Sequence, residues 1–298
     1  HEGDRLMFGL NRVRFIARDK LSKKRSVGIS LLSLLLAFLT SGVMFLFTNV
    51  DPVQAYVNLF GAFSNYALLS EAIVRAIPIM FVALGLTIAY KANFISIGGE
   101  GQIYVGGIIM TGLVIWQLDS NLIPQAVFIP IAIIMVFFGT GLWGVIPAIL
   151  KAKVGVNEVL TTLMMNYVAQ IFSNFLVIGP WKDPEGHGFP LSKEFPAYAR
   201  LGLIPGTTIN VGILLGVFAA LLCYVILSKT KFGFEVKVVG GSYQAARYAG
   251  ISYTKVVCLG MLMSAGFAGL AGMNILSGVT GKLRPDFSPG YGYTAIIV

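Results

Sequence analysis

The sequence is poor in charged residues, cysteine and histidine. Its 298 residues include 22 Lys or Arg and 13 Asp or Glu, so charged side chains make up 12% of the chain, against roughly 25% in soluble domains. Two cysteines and two histidines leave little material for a disulfide framework, a metal site or nucleophilic catalysis. These shortages argue against an ordinary soluble protein and against a disulfide-rich one.

Motifs of common enzyme classes are absent as well. No GxxxxGK[ST] phosphate loop occurs, so the chain cannot bind ATP by that route, and neither H-E-x-x-H nor G-x-S-x-G is present. Cys223 and Cys258 lie in separate apolar stretches, and we interpret both as small buried hydrophobic residues. The sequence therefore predicts a protein that is not an enzyme and holds no metal or other cofactor of its own.

Long apolar segments dominate the chain instead, with 56% of residues in the set AVILMFWYC. About 20 apolar residues cross a hydrocarbon core of about 30 Å, and by that measure seven segments are complete membrane spans and an eighth is begun. They fall at residues 27–47, 71–90, 93–118, 124–150, 156–179, 209–228 and 255–277, with the truncated span starting near residue 290. The predicted fold is an all-α integral membrane protein, a polytopic helix bundle.

The distribution of Lys and Arg predicts the orientation, because cytoplasmic connections carry the excess of both residues. With a cytoplasmic N-terminus, the inner connections hold 16 basic residues and the outer connections hold five, while Arg75 lies within a span. We expect a multi-pass protein of the plasma (bacterial inner) membrane, with residues 1–26 as a basic cytoplasmic tail and residues 27–298 as the transmembrane domain. A start at His1 and an end within an apolar run indicate a fragment truncated at its C-terminus.

The net charge of +9 is confined to two segments. Residues 1–25 hold eight basic and three acidic side chains, residues 229–255 hold five and one, and the remaining nine basic and nine acidic side chains cancel. A nucleic-acid partner would require basic residues spread along a binding surface. The excess therefore marks cytoplasmic segments of a protein in contact with membrane lipid, and we expect no nucleic-acid partner.

A glycine-rich segment lies within the third span. NFISIGGEGQIYVGG begins at Asn93 and places five glycines around Glu100 and Gln102. Because glycine costs about 1 kcal/mol relative to alanine in a helix, we expect a broken helix near residues 93–102. In one interpretation Asn93, Glu100 and Gln102 line a polar translocation pathway. In the other, the segment is a helix start in which Glu100 interacts with the helix dipole or pairs with Arg75.

A second polar group opens the fifth span with the sequence GVNEVLTTLMMNY. Asn157 has the residue type of an N-cap, and Glu158 follows it in the first turn. Thr162 and Asn166 share a helical face with Glu158, and we expect that face to point toward partner helices or the pathway.

Two further features concern packing and the cytoplasmic side. In the seventh span Ala268 and Gly272 belong to a series of small residues spaced three and four apart, which predicts close helix packing. The connection 229–254 predicts a short helix, with Ser242 or Gly241 as N-cap and Gly250 just past its end. Such a helix gives a partner protein a compact surface, whereas the alternative is a basic loop with an incidental turn.

Three motifs together resemble those of a known family. NFISIGGEGQIYVGG, GVNEVLTTLMMNY and VKVVGGSYQAARYAGI, in this order and spacing, are similar to segments of the membrane permease subunits of ABC importers for nucleosides and simple sugars. The wider group also takes up ribose and branched-chain amino acids. The resemblance covers roughly residues 27–298 and departs at Ser96, where the family usually has Asn.

The resemblance implies partners and a mechanism. The chain would be one of two homologous permeases around a central pathway, with cytoplasmic ATPase subunits that bind the ATP and an extracytoplasmic binding lipoprotein. It would pass a nucleoside or simple sugar by alternating access. The alternatives are branched-chain amino acid import and ion-coupled secondary transport through Glu100 and Arg75.

These predictions assign residues to two groups. The substrate pathway would include Asn93, Glu100, Gln102, Thr162 and Asn166. The helix that couples the permease to the ATPase would include Gly241, Ser242, Ala245, Ala246 and Gly250.

Overall fold

A computed structural model describes residues 23–48, 50–61, 63–186 and 188–298, and every regular element in these ranges is a helix. The chain divides into two compact units, which meet in sequence at Asn65 and Tyr66. Most of the predicted cytoplasmic tail, residues 1–22, lies outside the described residues.

The first unit contains helices α1 (Lys23–Phe47) and α2 (Pro52–Gly61). Tyr56 of α2 joins the two, because its hydroxyl lies 2.8 Å from Ser41 Oγ and donates a hydrogen bond to the Phe38 carbonyl. The Tyr56 ring also meets the rings of Phe38 and Phe45 edge on, with centroids 5.5 Å and 5.9 Å away. These contacts pack α2 against α1.

The described residues of the second unit form nine helices and several shorter helical turns. The long helices are α3 (Tyr66–Lys91), α4 (Gly99–Ser120), α5 (Phe128–Ile149), α6 (Glu158–Ile178), α7 (Gly212–Lys229) and α10 (Tyr253–Ile275). The short ones are α8 (Lys231–Gly241), α9 (Tyr243–Tyr248) and α11 (Tyr291–Ile297). Helices α5 and α10 each continue into a π-helical turn, over Leu150–Val154 and Leu276–Thr280.

Seven of the described helices are long and apolar enough to cross a membrane, which confirms the predicted all-α polytopic fold. Two spans start five or more residues from their predicted positions. The second span begins at Tyr66 rather than residue 71, and the helix of the third begins at Gly99 rather than residue 93. The apolar segment that starts near residue 290 forms the short helix α11.

Small residues bring α10 close to its neighbours, as the spacing predicted. A Cβ added at Gly106 of α4 would collide with the Gly269 carbonyl, and one added at Gly272 would collide with the Ile103 carbonyl. On the α5 side, a Cβ at Gly144 would collide with Ala265. Such backbone approach gives helices van der Waals contact that larger residues would prevent.

Hydrogen bonds join the connection between α6 and α7 to the connection between α10 and α11, at the opposite end of the helices from α8 and α9. Ser192 donates its backbone N–H to the Leu283 carbonyl over 3.0 Å and accepts the Leu283 N–H at Oγ over 2.9 Å. The Phe195 N–H reaches the Gly281 carbonyl at 2.8 Å. These bonds fix the path of residues 281–290, which lead from the end of α10 to α11.

Candidate functional site

The chain between α3 and α4 crosses part of the helix layer without forming a helix. Residues 92–98 are turn and coil, Asn93 has a left-handed backbone with φ 56°, and Phe94 and Ser96 are fully buried. The segment leads to Gly99, the first residue of α4, where an added Cβ would lie 2.8 Å from Val82. Val82 lies on α3, nine residues before its last residue, Lys91. A helical rise of 1.5 Å per residue puts Gly99 about 13 Å above that end, near the middle of a core of about 30 Å.

The break predicted near residues 93–102 is present only up to Gly98, and the glycines around Glu100 do not interrupt the helix. Gly99, Glu100, Gly101 and Gln102 already belong to α4. The close approach of α6 requires glycine in this turn, because a Cβ at Gly101 would lie 2.7 Å from the Cα of Asn166.

Two side chains of α6 hold the non-helical segment. Asn166 accepts the Gly101 N–H at Oδ1 and donates from Nδ2 to the Ile97 carbonyl, both over 2.8 Å. Thr162 Oγ1 accepts the Ile97 N–H over 3.1 Å. The first turn of α4 has free N–H groups, and no side chain at its N-cap Gly98 serves them. Asn166 therefore caps α4 from a different helix.

Glu100 is buried in the first turn of α4, where the helix dipole favours a carboxylate. Its Oε2 accepts the backbone N–H of Gly292, at the start of α11, over 2.8 Å. The carboxylate thus joins the beginnings of α4 and α11. The predicted alternative of a pair between Glu100 and Arg75 is wrong, because Arg75 binds Glu71 one turn away on α3 at 2.5 Å and both side chains are more than half exposed.

Four of the five predicted pathway residues come together at this break. Gln102 is buried, and a Cβ at Gly98 would lie 3.2 Å from Thr162 and 3.3 Å from Gln102, so these two side chains flank Gly98. Glu100 and Asn166 complete the group, which we call the break cluster. Thr162 and Asn166 are buried, which confirms the inward face predicted for α6.

Asn93 lies apart from the break cluster, at a cavity of about 420 Å³. Asn93 is exposed, and its backbone carbonyl accepts a hydrogen bond from Lys151 Nζ at 3.3 Å. Lys151 also forms an ion pair with Glu158, the first residue of α6. Asn157 is the N-cap of α6, as predicted, because its Oδ1 accepts the Val159 N–H over 2.9 Å. The cavity is lined by Ala92, Asn93, Lys151, Ala152, Val239, Gly240, Gly241, Ser242, Tyr243 and Tyr253.

The connection between α7 and α10 is more helical than predicted. The short helix α9 starts after Ser242, whose Oγ accepts the Ala245 N–H over 3.2 Å, and Gly250 has the left-handed φ of 71° expected just past a helix end. Helix α8 precedes it and was missed by the sequence prediction. Its signals are Thr230, which caps the Gly233 N–H over 3.2 Å, and two buried valines three residues apart.

The five predicted coupling residues divide by exposure. Ala246 is buried, whereas Gly241, Ser242, Ala245 and Gly250 are exposed. Tyr248, the last residue of α9, is 94% exposed. Ala246 therefore packs α9 against the protein, and a partner would meet the other residues.

A further polar group was missed by sequence reasoning. Asp286, on the connection to α11, accepts hydrogen bonds at Oδ1 from Gln170 Nε2 over 2.9 Å and from Asn174 Nδ2 over 3.1 Å. These two bonds hold one oxygen of the Asp286 carboxylate in position between two amides. The available signal was the spacing of Thr162, Asn166, Gln170 and Asn174 at intervals of four on α6.

The charged and thiol groups do not form a metal centre in the described ranges, where no three His, Cys, Asp or Glu side chains cluster. Cys223 is buried and Cys258 half-buried, and both are free thiols. The chemistry available at the break cluster is hydrogen bonding by amides, a hydroxyl and one carboxylate.

Comparisons with known proteins cover most of the chain. Residues 68–298 match the family described as branched-chain amino acid transport system, permease component. A glucose ABC transporter permease protein of Haloferax volcanii is 35% identical over 281 residues, which cover 90% of this chain and 73% of the relative. A guanosine ABC transporter permease protein of Bacillus subtilis is 30% identical over 255 residues, 82% of this chain and 70% of the relative.

A nucleoside ABC transporter permease protein of Lactococcus lactis is 28% identical over 261 residues, which cover 85% of this chain and 71% of the relative. No solved structure matches the chain. The similarity therefore extends through the break, the α8 and α9 connection and the start of α11.

Proposed function

The chain belongs to the family of ABC transporter permeases described as branched-chain amino acid transport system, permease component, and on this premise we propose that it passes a nucleoside or simple sugar across the plasma membrane. Relatives named for glucose, nucleosides and guanosine support this substrate class over branched-chain amino acids. The permease acts by alternating access and catalyses no reaction itself.

The observation that carries the proposal is the non-helical segment 92–98 at membrane depth. Backbone without helical hydrogen bonds is tolerated in a membrane only where protein or a water-filled cavity surrounds it, and transporters place such breaks beside the substrate path. Here Thr162 and Asn166 supply the missing bonds to Ile97. In our proposal Glu100, Gln102, Thr162 and Asn166 shape the pathway wall by holding the break, and Asn93 lies at its cytoplasmic mouth.

The energy for transport comes from partners. Permease components of ABC transporters work with an ATPase and a substrate-binding protein, and this chain holds no cofactor of its own because the ATPase binds the ATP. We place the ATPase at α9, within the coupling loop 229–254, and pair the permease domain 27–298 with a second, homologous permease. A binding lipoprotein delivers substrate on the outer side, and the N-terminal tail 1–26 is cytoplasmic.

Ion-coupled secondary transport is not favoured. That alternative needed Glu100 and Arg75 to act together as a relay. Arg75 instead pairs with Glu71, and Glu100 is occupied by the Gly292 N–H.

The proposal is tested by uptake into reconstituted vesicles that contain the permease pair and its ATPase, with loaded binding protein outside. We expect ATP inside to drive uptake of labelled guanosine or D-glucose, and uptake to persist when ionophores collapse the proton and sodium gradients. Uptake that follows an ion gradient without the ATPase would contradict the proposal. Uptake of leucine alone would replace the substrate class while leaving the transporter class intact.

A further inference from the structure

Asp286, on the connection to α11, and two amides of α6 form a polar group next to the break cluster, and this group has unused hydrogen-bonding capacity. Asp286 Oδ1 accepts hydrogen bonds from Gln170 and Asn174, and the Asp286 N–H returns to Asn174 Oδ1 over 3.3 Å. Asp286 is exposed and the two amides are half-buried. In the described part of the chain Asp286 Oδ2 accepts no hydrogen bond, so one carboxylate oxygen is held in position and the other is free for a ligand.

The depth of this group argues against contact with lipid. Gln170 and Asn174 lie 12 and 16 residues after Glu158, the first residue of α6. At 1.5 Å per residue this is about 18 to 24 Å from the cytoplasmic end, within a hydrocarbon core of about 30 Å. A carboxylate facing lipid there would cost at least about 2.5 kcal/mol. Its exposed face therefore meets water or a polar solute.

The group continues the break cluster toward the outer side. Asn166 lies one turn before Gln170 on α6, and its Nδ2 is 3.4 Å from the hydroxyl of Tyr293 on α11. The Tyr293 side chain is 39% exposed. A column of polar side chains with an aromatic ring beside it thus runs from the middle of the membrane toward its outer half.

The chemistry of this column fits a neutral solute rich in hydroxyl groups. A sugar hydroxyl donates one hydrogen bond and accepts others, and an ionised carboxylate beside two amides offers matching acceptors and donors. An aromatic face packs against the apolar face of a sugar ring or a base. An anionic solute would be repelled by the unneutralised carboxylate.

We infer that Asp286, Gln170 and Asn174 form a subsite in the pathway that hydrogen-bonds the hydroxyl groups of a passing sugar or of the ribose of a nucleoside, with Tyr293 packing beside it. Asp286 Oδ2 accepts a hydroxyl proton while Oδ1 stays with the two amides. The inference rests on the proposed function and adds the residues that recognise the substrate during passage.

The test compares a parent solute with its deoxy analogues in the assembled transporter. Vesicles receive saturating binding protein loaded with guanosine, 2′-deoxyguanosine or 3′-deoxyguanosine, or with D-glucose and its deoxy analogues, so that binding-protein affinity does not limit the rate. We expect the wild type to turn over the parent about tenfold faster than at least one analogue, the loss of one charge-assisted hydrogen bond. In Asp286→Asn this preference should fall below about twofold. The responding set, nucleoside or sugar, identifies the source of the hydroxyl groups.

Two further variants separate recognition from folding. Gln170→Ala keeps the Asn174 contact that holds the connection, and it should reduce the same preference. Asp119→Asn removes an exposed carboxylate near the outer end of α4 and should leave the preference unchanged. Equal slowing of parent and analogues in Asp286→Asn and Gln170→Ala would overturn the inference and show that the group only anchors the connection.

Different results would overturn the proposed function and the subsite. If the wild-type transporter turns over neither nucleosides nor sugars, the substrate class is wrong and the subsite with it. If it turns them over but never prefers a parent to its deoxy analogues, only the subsite is overturned.

Discussion

Asn166 shows how one side chain completes two pieces of backbone at once. Its amide satisfies the Gly101 N–H at the start of α4 and the Ile97 carbonyl in the non-helical segment. Both groups belong to segments in which helical partners are missing, and a buried group without a partner is costly in a membrane. The stability of the break therefore depends on a residue of another helix.

Replacing Asn166 should destabilise the protein. Asn166→Ala leaves two buried backbone groups unpaired, and we expect a loss of about 2 to 4 kcal/mol in the free energy of unfolding. The matched control is Ser173→Ala on the same helix, because Ser173 Oγ is buried without a hydrogen-bond partner among the described residues. Thermal unfolding in detergent should show a clear fall in Tm for Asn166→Ala alone. Equal Tm values for both variants would contradict the bridging role.

Single residues were predictable where the signal is local. The cap at Asn157 and the buried face of Thr162 and Asn166 follow from residue type and helical spacing, and both are present. The partner of Glu100 was not predictable, because Gly292 lies 192 residues away and contributes a backbone N–H that every residue except proline has. Arg75 found its partner one turn along its own helix, which short range favours.

At the scale of elements, the packing of α4 on α10 depends on glycine. A Cβ at Gly106 would meet the Gly269 carbonyl oxygen, which is backbone and cannot move aside. Gly106→Ala should therefore lower the free energy of unfolding by about 1 to 3 kcal/mol. Gly28→Ala on α1, where no atom lies within 4 Å, should be neutral or stabilising by up to about 1 kcal/mol. Equal effects on Tm would contradict close packing between α4 and α10.

Helix α9 offers a test of coupling that Ala246 does not. Because Ala246 is buried, a bulky residue there would disturb folding, whereas Tyr248 is 94% exposed and of a type that dominates protein interfaces. Tyr248→Ala should reduce stimulation of the ATPase by loaded binding protein at least about tenfold, with unchanged Tm. The control Tyr224→Ala removes a 62% exposed tyrosine of α7 and should leave stimulation intact. Full stimulation in Tyr248→Ala would contradict docking at α9.

The elements themselves were predictable to different degrees. Long apolar runs specify the spans because the hydrocarbon core sets their length, and all seven are present. Helix α8 was missed because it is short and holds three glycines, and because its basic residues resemble a solvated connection. The start of α4 depended on glycines whose effect is set by how closely α6 approaches Gly101.

At the scale of the molecule, the charge asymmetry and the positions of the connections both bear on the orientation of the chain in the membrane. The basic α8 and α9 connection follows α7, and the connection of residues 179–211 precedes it, so one membrane span separates them. With five basic residues in 229–255 and three in 179–211, the positive-inside tendency favours our proposed orientation, in which α9 is cytoplasmic and residues 179–211 lie outside. In that proposed orientation the five basic residues of 229–255 lie on the side where the ATPase is proposed to bind.

This orientation is measurable by cysteine labelling. With Cys223 and Cys258 replaced by alanine, Glu185→Cys should react with a membrane-impermeant maleimide on intact cells, because residue 185 is exposed in the outer connection. Tyr248→Cys should react only after the membrane is permeabilised. The variant without cysteine supplies the background, and complete labelling of both sites in permeabilised cells shows that each is accessible. Labelling at residue 248 of intact cells, with protection at residue 185, would reverse the topology and move the proposed ATPase contact to the wrong side of the membrane.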